Sequence, residues 1–180
     1  MTDFRTISLL NVEGKMFFAV LARRMTTFQT ANQYIDTSVQ KGGVPGFSGC
    51  LEHTSAISQI IREAKVNNKD LTVIWLDLAN AYGSIPHKLI DEALKHYYIP
   101  EHIQGIINGY CDGLQLRFSF GEETTSWQRL EKGIVTGCII AVVLFVMGMN
   151  LIIYAAKRET RGQRQPQGYT YHPTEGSWMT

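Results

Sequence analysis

The sequence predicts an α+β fold, and three features of its apolar pattern support this prediction. A run of β-branched and aromatic residues at 71–75 (LTVIW) precedes Asp77 and is typical of a buried strand. Apolar and polar side chains alternate over residues 114–120, as they do in a strand with one buried face. The helical and strand-like segments do not alternate one by one, which argues against βαβ repeats and favours a mixed α+β domain.

The part of the chain before residue 71 predicts two helices separated by a loop. Residues 9–25 have the periodicity of an amphipathic helix. The residues expected to share its inner face are Phe17, Val20, Leu21 and Arg24. Residues 41–49 contain four glycines and a proline, which predicts a loop whose backbone can approach a ligand closely. Apolar residues at helical spacing over 52–65 predict the second helix.

Asp77 stands near the end of the predicted central strand, residues 71–78, and a tight turn follows it. Pro86 suits the first position of the next helix, and Pro100 begins another. An aspartate at the end of a strand often does no more than cap the following turn. Its position becomes informative only in combination with the rest of the chain.

The second half predicts a hairpin, a long apolar helix and a tail. Residues 114–130 have the pattern of two strands on one sheet with residues 71–78, joined by a turn at 121–124. Residues 133–156 contain no charged side chain and exceed the roughly 20 residues that a membrane span needs. A buried helix beneath the sheet would be equally apolar, and we favour that interpretation. Residues 158–180 are rich in Gln, Gly and Pro and predict a disordered tail.

Composition limits the function without deciding it. At 180 residues the chain is one domain or a piece of a larger one, and its net charge of +1 gives no overall attraction to phosphate. Any nucleic-acid binding must come from a local groove. The cysteines, Cys50, Cys111 and Cys138, lack metal-ligand spacing and predict reduced thiols. The N-terminus lacks the pattern of a secretory signal, so we expect an intracellular location in the cytoplasm or nucleus.

Four segments of the chain form an ordered set of motifs. They are residues 4–15 (FRTISLLNVEGK), 40–47 (QKGGVPGF), 76–87 (LDLANAYGSIPH) and 133–145 (GIVTGCIIAVVLF). In this order they resemble a finger segment, the template-side loop, the first catalytic motif and the motif beside the nascent base pair in reverse transcriptases of non-LTR retrotransposons. The resemblance implies a partial polymerase palm with part of the fingers over residues 1–157.

The resemblance also implies a chemistry and a set of site residues. Such polymerases transfer a deoxynucleotide with two metal ions, Mg²⁺ or alternatively Mn²⁺, and their partners are an RNA template, a DNA primer and dNTP. It assigns Asp77 as the catalytic, metal-binding carboxylate, with the backbone carbonyl of Leu78 as a further ligand. It assigns nucleotide contacts to Ala81, Tyr82, Gly137 and Arg5, and Tyr82 is the aromatic that would exclude a ribose 2′-hydroxyl. The template-side loop residues are Gln40, Gly43 and Phe47.

The chain departs from the family pattern in two places. The family's paired aspartates, in an aromatic-Ala-Asp-Asp hairpin, have no counterpart here, since Asp112 is the last aspartate. The family's common QGCPLSP corresponds to TGCIIAV at residues 136–142. One carboxylate cannot hold two metal ions, so we expect a truncated or degenerate copy that is inactive alone and binds no metal stably. The alternatives are a membrane protein anchored by residues 133–156, although we do not expect a membrane partner, and a non-enzymatic globular remnant.

Overall fold

The structure, a computed structural model, describes residues 8–160 and consists mainly of helices. The helices are α1 (Val12–Ala31), α2 (Leu51–Val66), α3 (Ala81–Ser84), α4 (His87–His96), α5 (Glu101–Asp112) and α6 (Ile139–Thr160). The strands are β1 (Gln115–Leu116), β2 (Ser119–Phe120), β3 (Glu123–Thr124) and β4 (Gln128–Arg129). The mixture of helices with a few short strands, and the long apolar helix near the C-terminus, confirm the predicted class in its coarse form.

Helix α1 begins at a side-chain cap and packs on α6. The Asn11 side chain accepts a hydrogen bond from the Gly14 backbone N–H at 2.9 Å, which satisfies a donor of the first turn. Of the residues predicted for the inner face, Leu21 is buried, but Phe17, Val20 and Arg24 are exposed. The residues that face the core are Phe18, Leu21, Ala22, Met25 and Gln29. This face includes a small residue and a polar one, which an apolar periodicity does not select.

The core lies between α1, α4, α5 and α6. Helix α6 contacts both α1 and α4, and α4 also contacts α5. The most deeply buried large side chains come mainly from α4, α5 and α6: Ile90, Leu94, Tyr97, Ile107, Ile140, Leu144, Met147 and Asn150. The prediction that α6 packs beneath a sheet was therefore wrong, since helices form its partners in the described part of the chain.

One buried polar side chain connects α6 to the loop after α1. The Asn150 amide donates to the Tyr34 carbonyl at 2.9 Å and to the Tyr97 hydroxyl at 2.6 Å. Its Oδ1 accepts from the Asp36 backbone N–H at 3.2 Å. Lys157, near the end of α6, forms an ion pair with Asp36. A fully satisfied buried amide of this kind fixes the position of a loop on a helix.

The predicted hairpin forms, but only as two short ladders. Strand β1 pairs with β4 and β2 with β3, both antiparallel. Leu114, just before β1, is buried, whereas Phe118 and Phe120 near the tip are exposed. The hairpin is therefore anchored at its base and projects at its tip.

The predicted central strand at residues 71–78 is absent. Residues 69–78 have no regular secondary structure, and no strand within residues 8–160 pairs with them. The hairpin consequently does not share a sheet with them, contrary to the prediction. A strand exists only when a neighbour takes up its backbone hydrogen bonds, and the described residues supply none here.

Helix α6 is the one helix among residues 8–160 that is long and apolar enough to cross a membrane. Its Ile139–Glu159 segment has a mean hydropathy of 2.5, and 44% of the most apolar window is buried inside the protein. Core helices of soluble proteins meet the same criterion, so this finding is weak support for a span. Helix α6 continues to Thr160, and the rest of the predicted tail lies outside the described residues.

Candidate functional site

The segment that carries Asp77 is an exposed arm without regular secondary structure. Ile74 is 77% exposed, Trp75 76% and Leu76 91%. Asp77 is itself exposed, and Leu78 beside it is 54% exposed. The structure thus presents the carboxylate and the Leu78 backbone to solvent on an apolar segment that no described strand covers.

The turn after Asp77 is closed by a left-handed residue and one helical turn. Asn80 adopts φ 49° and ψ 52°, a conformation that Asn tolerates better than most residues. Helix α3 follows at once, and Ala81 and Tyr82 form its first two positions. The Ser84 hydroxyl donates to the Ala79 carbonyl at 3.1 Å across the turn. The chain therefore changes direction directly after the carboxylate, and the Tyr82 side chain enters the protein.

The Tyr82 ring packs on α6. It is half-buried and stacks on the Phe145 ring, with 4.6 Å between centroids and 17° between planes. Burial raises the pKa of the Tyr82 hydroxyl above its usual value of about 10, so the hydroxyl stays protonated at neutral pH. The predicted nucleotide contact is thus also a packing contact, and Phe145 supports the ring.

Backbone hydrogen bonds tie this turn to the segment that enters α6. The Ile134 N–H donates to the Tyr82 carbonyl, and the Gly133 N–H donates to the Ile85 carbonyl, both at 2.8 Å. The His87 Nε2 lies 2.7 Å from the Gly133 carbonyl oxygen. The structure therefore brings together two predicted motifs that are about 50 residues apart in the sequence.

The sequence interpretation missed His87 and Phe145 as parts of this site. Both lie inside the quoted motifs, His87 at the end of the Asp77 motif and Phe145 at the end of the Gly137 motif. Their position within the motifs was the available signal, but only the fold shows that they bridge the two segments.

Gly137 is required here by a close approach of backbone. It has φ 103°, and a Cβ at this position would lie 2.6 Å from the Ser8 carbonyl oxygen. The Ser8 N–H donates to the neighbouring Thr136 carbonyl at 2.9 Å. The segment before α1 therefore lies against the start of α6, and any larger residue at 137 would separate them.

The predicted template-side loop lies against the middle of α6. The Gln40 Nε2 donates to the Val146 carbonyl at 3.1 Å. A Cβ on Gly43 would lie 2.8 Å from Val142 Cγ1, so the glycine allows the loop to contact the helix. Phe47 is half-buried with the Lys41 ammonium 4.4 Å from its ring centroid, within the range of a cation–π contact.

The predicted residues form two groups and leave one outside. Ala81, Tyr82 and the Gly133–Phe145 region are together, and Gln40, Gly43 and Phe47 form a separate loop on α6. Arg5 lies outside the described residues. Within residues 8–160 no three His, Cys, Asp or Glu side chains lie close enough to form a metal site. The described residues therefore do not supply a set of ligands that fits a pair of metal ions.

Comparison with known proteins agrees with the motifs. Residues 1–170 match the family described as reverse transcriptase (RNA-dependent DNA polymerase). The chain is 26% identical over 150 residues to a retrovirus-related Pol polyprotein from type-1 retrotransposable element R2 of Nasonia vitripennis, covering 83% of the chain and 14% of the relative. A similar polyprotein of Bradysia coprophila is 25% identical over 158 residues, 88% of the chain and 17% of the relative.

A third relative is the Pol polyprotein from type-2 retrotransposable element R2DM of Drosophila melanogaster, with 23% identity over 158 residues, 84% of the chain and 14% of the relative. The chain thus spans between about a seventh and a sixth of the length of these relatives. Because the family match extends over nearly the whole sequence, the chain belongs to the reverse transcriptase family.

Proposed function

We propose that this chain forms part of the fingers and palm of a non-LTR retrotransposon reverse transcriptase, which copies an RNA template by extending a DNA primer with dNTP. Asp77 acts as one of the carboxylates that hold the divalent cations, and the Leu78 carbonyl is a further ligand. Tyr82 and Ala81 lie beside the incoming nucleotide, where Tyr82 excludes the ribose 2′-hydroxyl. Gly137 lies near the nascent base pair.

The observation that carries this proposal is the junction between the turn after Asp77 and the start of α6. The Tyr82 carbonyl accepts the Ile134 N–H, and the Tyr82 ring stacks on Phe145. A nucleotide site needs a rigid support for the residues that contact the substrate, and these contacts supply it. The junction therefore supports a preformed wall of the nucleotide site next to the carboxylate.

The metal requirement limits what the chain does by itself. Mg²⁺, or Mn²⁺ in its place, supplies charge stabilisation and activates the primer hydroxyl when a polymerase holds a pair of ions. Asp77 is a single exposed carboxylate, and Asp112 is the last aspartate of the sequence. We infer that the chain alone holds no metal pair and extends no primer.

Nucleic-acid contacts are expected from local groups, because the net charge is only +1. Gln40, Gly43 and Phe47 belong to the loop proposed for the template side, and Arg5 is a further candidate for phosphate. Arg23 and Arg24 are exposed on α1. Binding through these residues depends on counterion release and weakens with added salt.

We further propose that α6 is a core helix of an intracellular protein. Asn150, fully buried in α6, has hydrogen-bond partners in the loop after α1 and at the end of α4. The membrane alternative predicts a different result in carbonate extraction. Release of the expressed chain into the supernatant supports the core helix, and retention as an integral membrane protein would contradict it.

The test of the proposed chemistry joins this chain to the remaining part of the reverse transcriptase domain from the Nasonia vitripennis relative. We expect primer extension on an RNA template by the fusion and none by the chain alone. Asp77→Asn in the fusion should abolish extension, because the metal loses a charged ligand. Asp112→Asn, the same change at an exposed position at the end of α5, is the matched control and should retain activity.

A second comparison in the same fusion tests the role of Tyr82. Tyr82→Ala should increase incorporation of ribonucleotides relative to deoxynucleotides, while Tyr82→Phe keeps the ring and should leave the ratio unchanged. Extension that survives Asp77→Asn would show that the catalytic carboxylate has been misplaced. An unchanged ratio in Tyr82→Ala would remove Tyr82 from the nucleotide site.

A further inference from the structure

A cavity of about 570 Å³ lies between α1, the loop after it and α6. Its volume is within the usual range for small-molecule sites, which is roughly 300–1,000 Å³. Its apolar walls come from the loop and from α6, and they include Val44, Pro45, Phe47, Val143 and Val146. None of residues 77–87 lines it, so it is separate from the proposed nucleotide site.

A buried amide without a partner stands in the wall of this cavity. Gln29 of α1 lines the cavity and is only 4% exposed. Its Nε2 is buried and has no hydrogen-bond partner within the described residues. Leaving a buried donor unpaired is unfavourable, so a group that accepts a hydrogen bond from Gln29 would remove this cost.

The charge of the cavity favours an uncharged ligand. Among the lining residues only Asp36 and Tyr154 are ionisable. Lys157 forms an ion pair with Asp36. Lys157 also holds the pKa of Asp36 below its usual value, so the carboxylate is ionised and its charge is matched. The remaining polar lining consists of neutral hydroxyl and amide groups, such as those of Thr26, Thr30 and Ser38. A ligand with a net charge would be buried here without a counterion.

We propose that this cavity is a binding site for a small uncharged carbonyl compound, and that the buried Gln29 amide turns towards the cavity to donate a hydrogen bond to the carbonyl oxygen. Its apolar body packs against the valines of α6 and the Phe47 side of the loop. Because Gly43 of the loop and Val146 of α6 both line the cavity, an occupant also connects the loop to α6. The site adjoins the loop proposed for the template side, but it contains none of the residues proposed for catalysis or for the incoming nucleotide.

Benzamide, which is uncharged, is a suitable probe, and benzoate is its charged counterpart of nearly the same shape. We expect titration of the ¹⁵N-labelled full chain with benzamide to give saturable shifts at the Gly43 and Val44 amides and at the Gln29 side-chain NH₂. Benzoate should bind at least about tenfold more weakly, because its charge would be buried. Benzamide that causes no saturable shift at these positions, or benzoate that binds equally well, would overturn the proposal.

The variant Gln29→Met tests the hydrogen bond itself. Methionine has a similar shape but no donor, so benzamide affinity should fall about fivefold, the value of one hydrogen bond. Gln59→Met, the same change on the exposed face of α2, is the matched control and should leave the affinity unchanged. Unchanged benzamide affinity in Gln29→Met would overturn the proposed role of Gln29. The comparison of benzamide with benzoate in the unmodified chain does not depend on how either variant folds.

Discussion

Helix α6 and the Asp77 arm (residues 69–78) are both apolar in sequence, yet much of α6 is buried and most of the arm is exposed to solvent. Leu144 of α6 is fully buried, whereas Leu76 of the Asp77 arm is 91% exposed. A helix satisfies its backbone hydrogen bonds within itself and needs only a surface to pack on. A strand needs a neighbouring strand as well, and residues 8–160 offer none to the Asp77 arm. An apolar run is therefore a better predictor of burial when it forms a helix than when it is expected to form a strand.

This difference divides the candidate site in two. Tyr82 and the start of α6 belong to the packed helical scaffold, and Asp77 belongs to the arm. The wall proposed for the nucleotide is thus formed by the chain's own core. The position of the carboxylate depends on the Asp77 arm, which no described strand pairs with.

The same substitution, leucine to alanine, should have very different effects in α6 and in the Asp77 arm. Leu144→Ala should lower the free energy of unfolding by about 2–5 kcal/mol, because it leaves a cavity in the core. Leu76→Ala, the matched change in the Asp77 arm, should alter it by no more than about 0.5 kcal/mol. Urea unfolding followed by circular dichroism measures both. Similar losses at the two positions would mean that the Asp77 arm is buried in solution.

Asn150 should produce the next largest effect, because it connects α6 to the loop after α1. Asn150→Ala leaves the Asp36 N–H and the Tyr34 carbonyl without their partner, and we expect a loss of about 1–3 kcal/mol. Tyr97→Phe removes only the hydroxyl, and the Asn150 amide still donates to Tyr34, so the loss should be about 1 kcal/mol. Thermal unfolding of the two variants shows which of them loses more stability. A larger loss in Tyr97→Phe would contradict it.

The ion pair of Asp36 with Lys157 should contribute less, and its contribution should depend on pH. The hydrogen bond from Lys157, and then that from Ser38, lower the pKa of Asp36 from its usual value of about 3.9. A carboxylate whose pKa is lowered by folding stabilises the native state above its unfolded pKa, and this contribution disappears as the pH falls through the folded pKa.

We therefore expect Asp36→Asn to cost about 1 kcal/mol at pH 7, as a partly exposed pair does, and progressively less below about pH 4. Urea unfolding of the wild type and the variant from pH 7 to pH 3 measures the difference. A difference that stays constant over this range would show that the carboxylate charge is not its source.

The sequence predicted those parts of the fold that depend on local periodicity. Helix α2 was expected at residues 52–65 and is observed at Leu51–Val66. The hairpin turn was expected at 121–124 and is observed at residues 121–122, between β2 and β3. The inner face of α1 was predicted only in part, because Leu21 is buried as expected but Ala22 and Gln29 are buried in place of Phe17 and Val20. The strand at 71–78 was missed because its formation requires a partner that no local pattern reveals.

The candidate site was predictable only through the order of its motifs. Asp77, Tyr82 and Gly137 were selected by resemblance, and their roles remain predictions. The structure adds the physical connections, in particular His87 at the Gly133 carbonyl and Phe145 beneath Tyr82. The contact of Gly137 with Ser8 joins segments far apart in sequence, and no spacing rule would have found it.

Hydrogen exchange of the full chain tests most directly the claim that Asp77 lies on an unpaired arm beside a packed helical core. Followed by mass spectrometry, the backbone amides of residues 71–78 should exchange at nearly the rate of an unstructured peptide, since no described group accepts their hydrogen bonds. The amides of residues 140–150 in α6 should exchange far more slowly. Protection of residues 71–78 comparable to that of α6 would contradict the claim and place Asp77 on a paired strand within this chain.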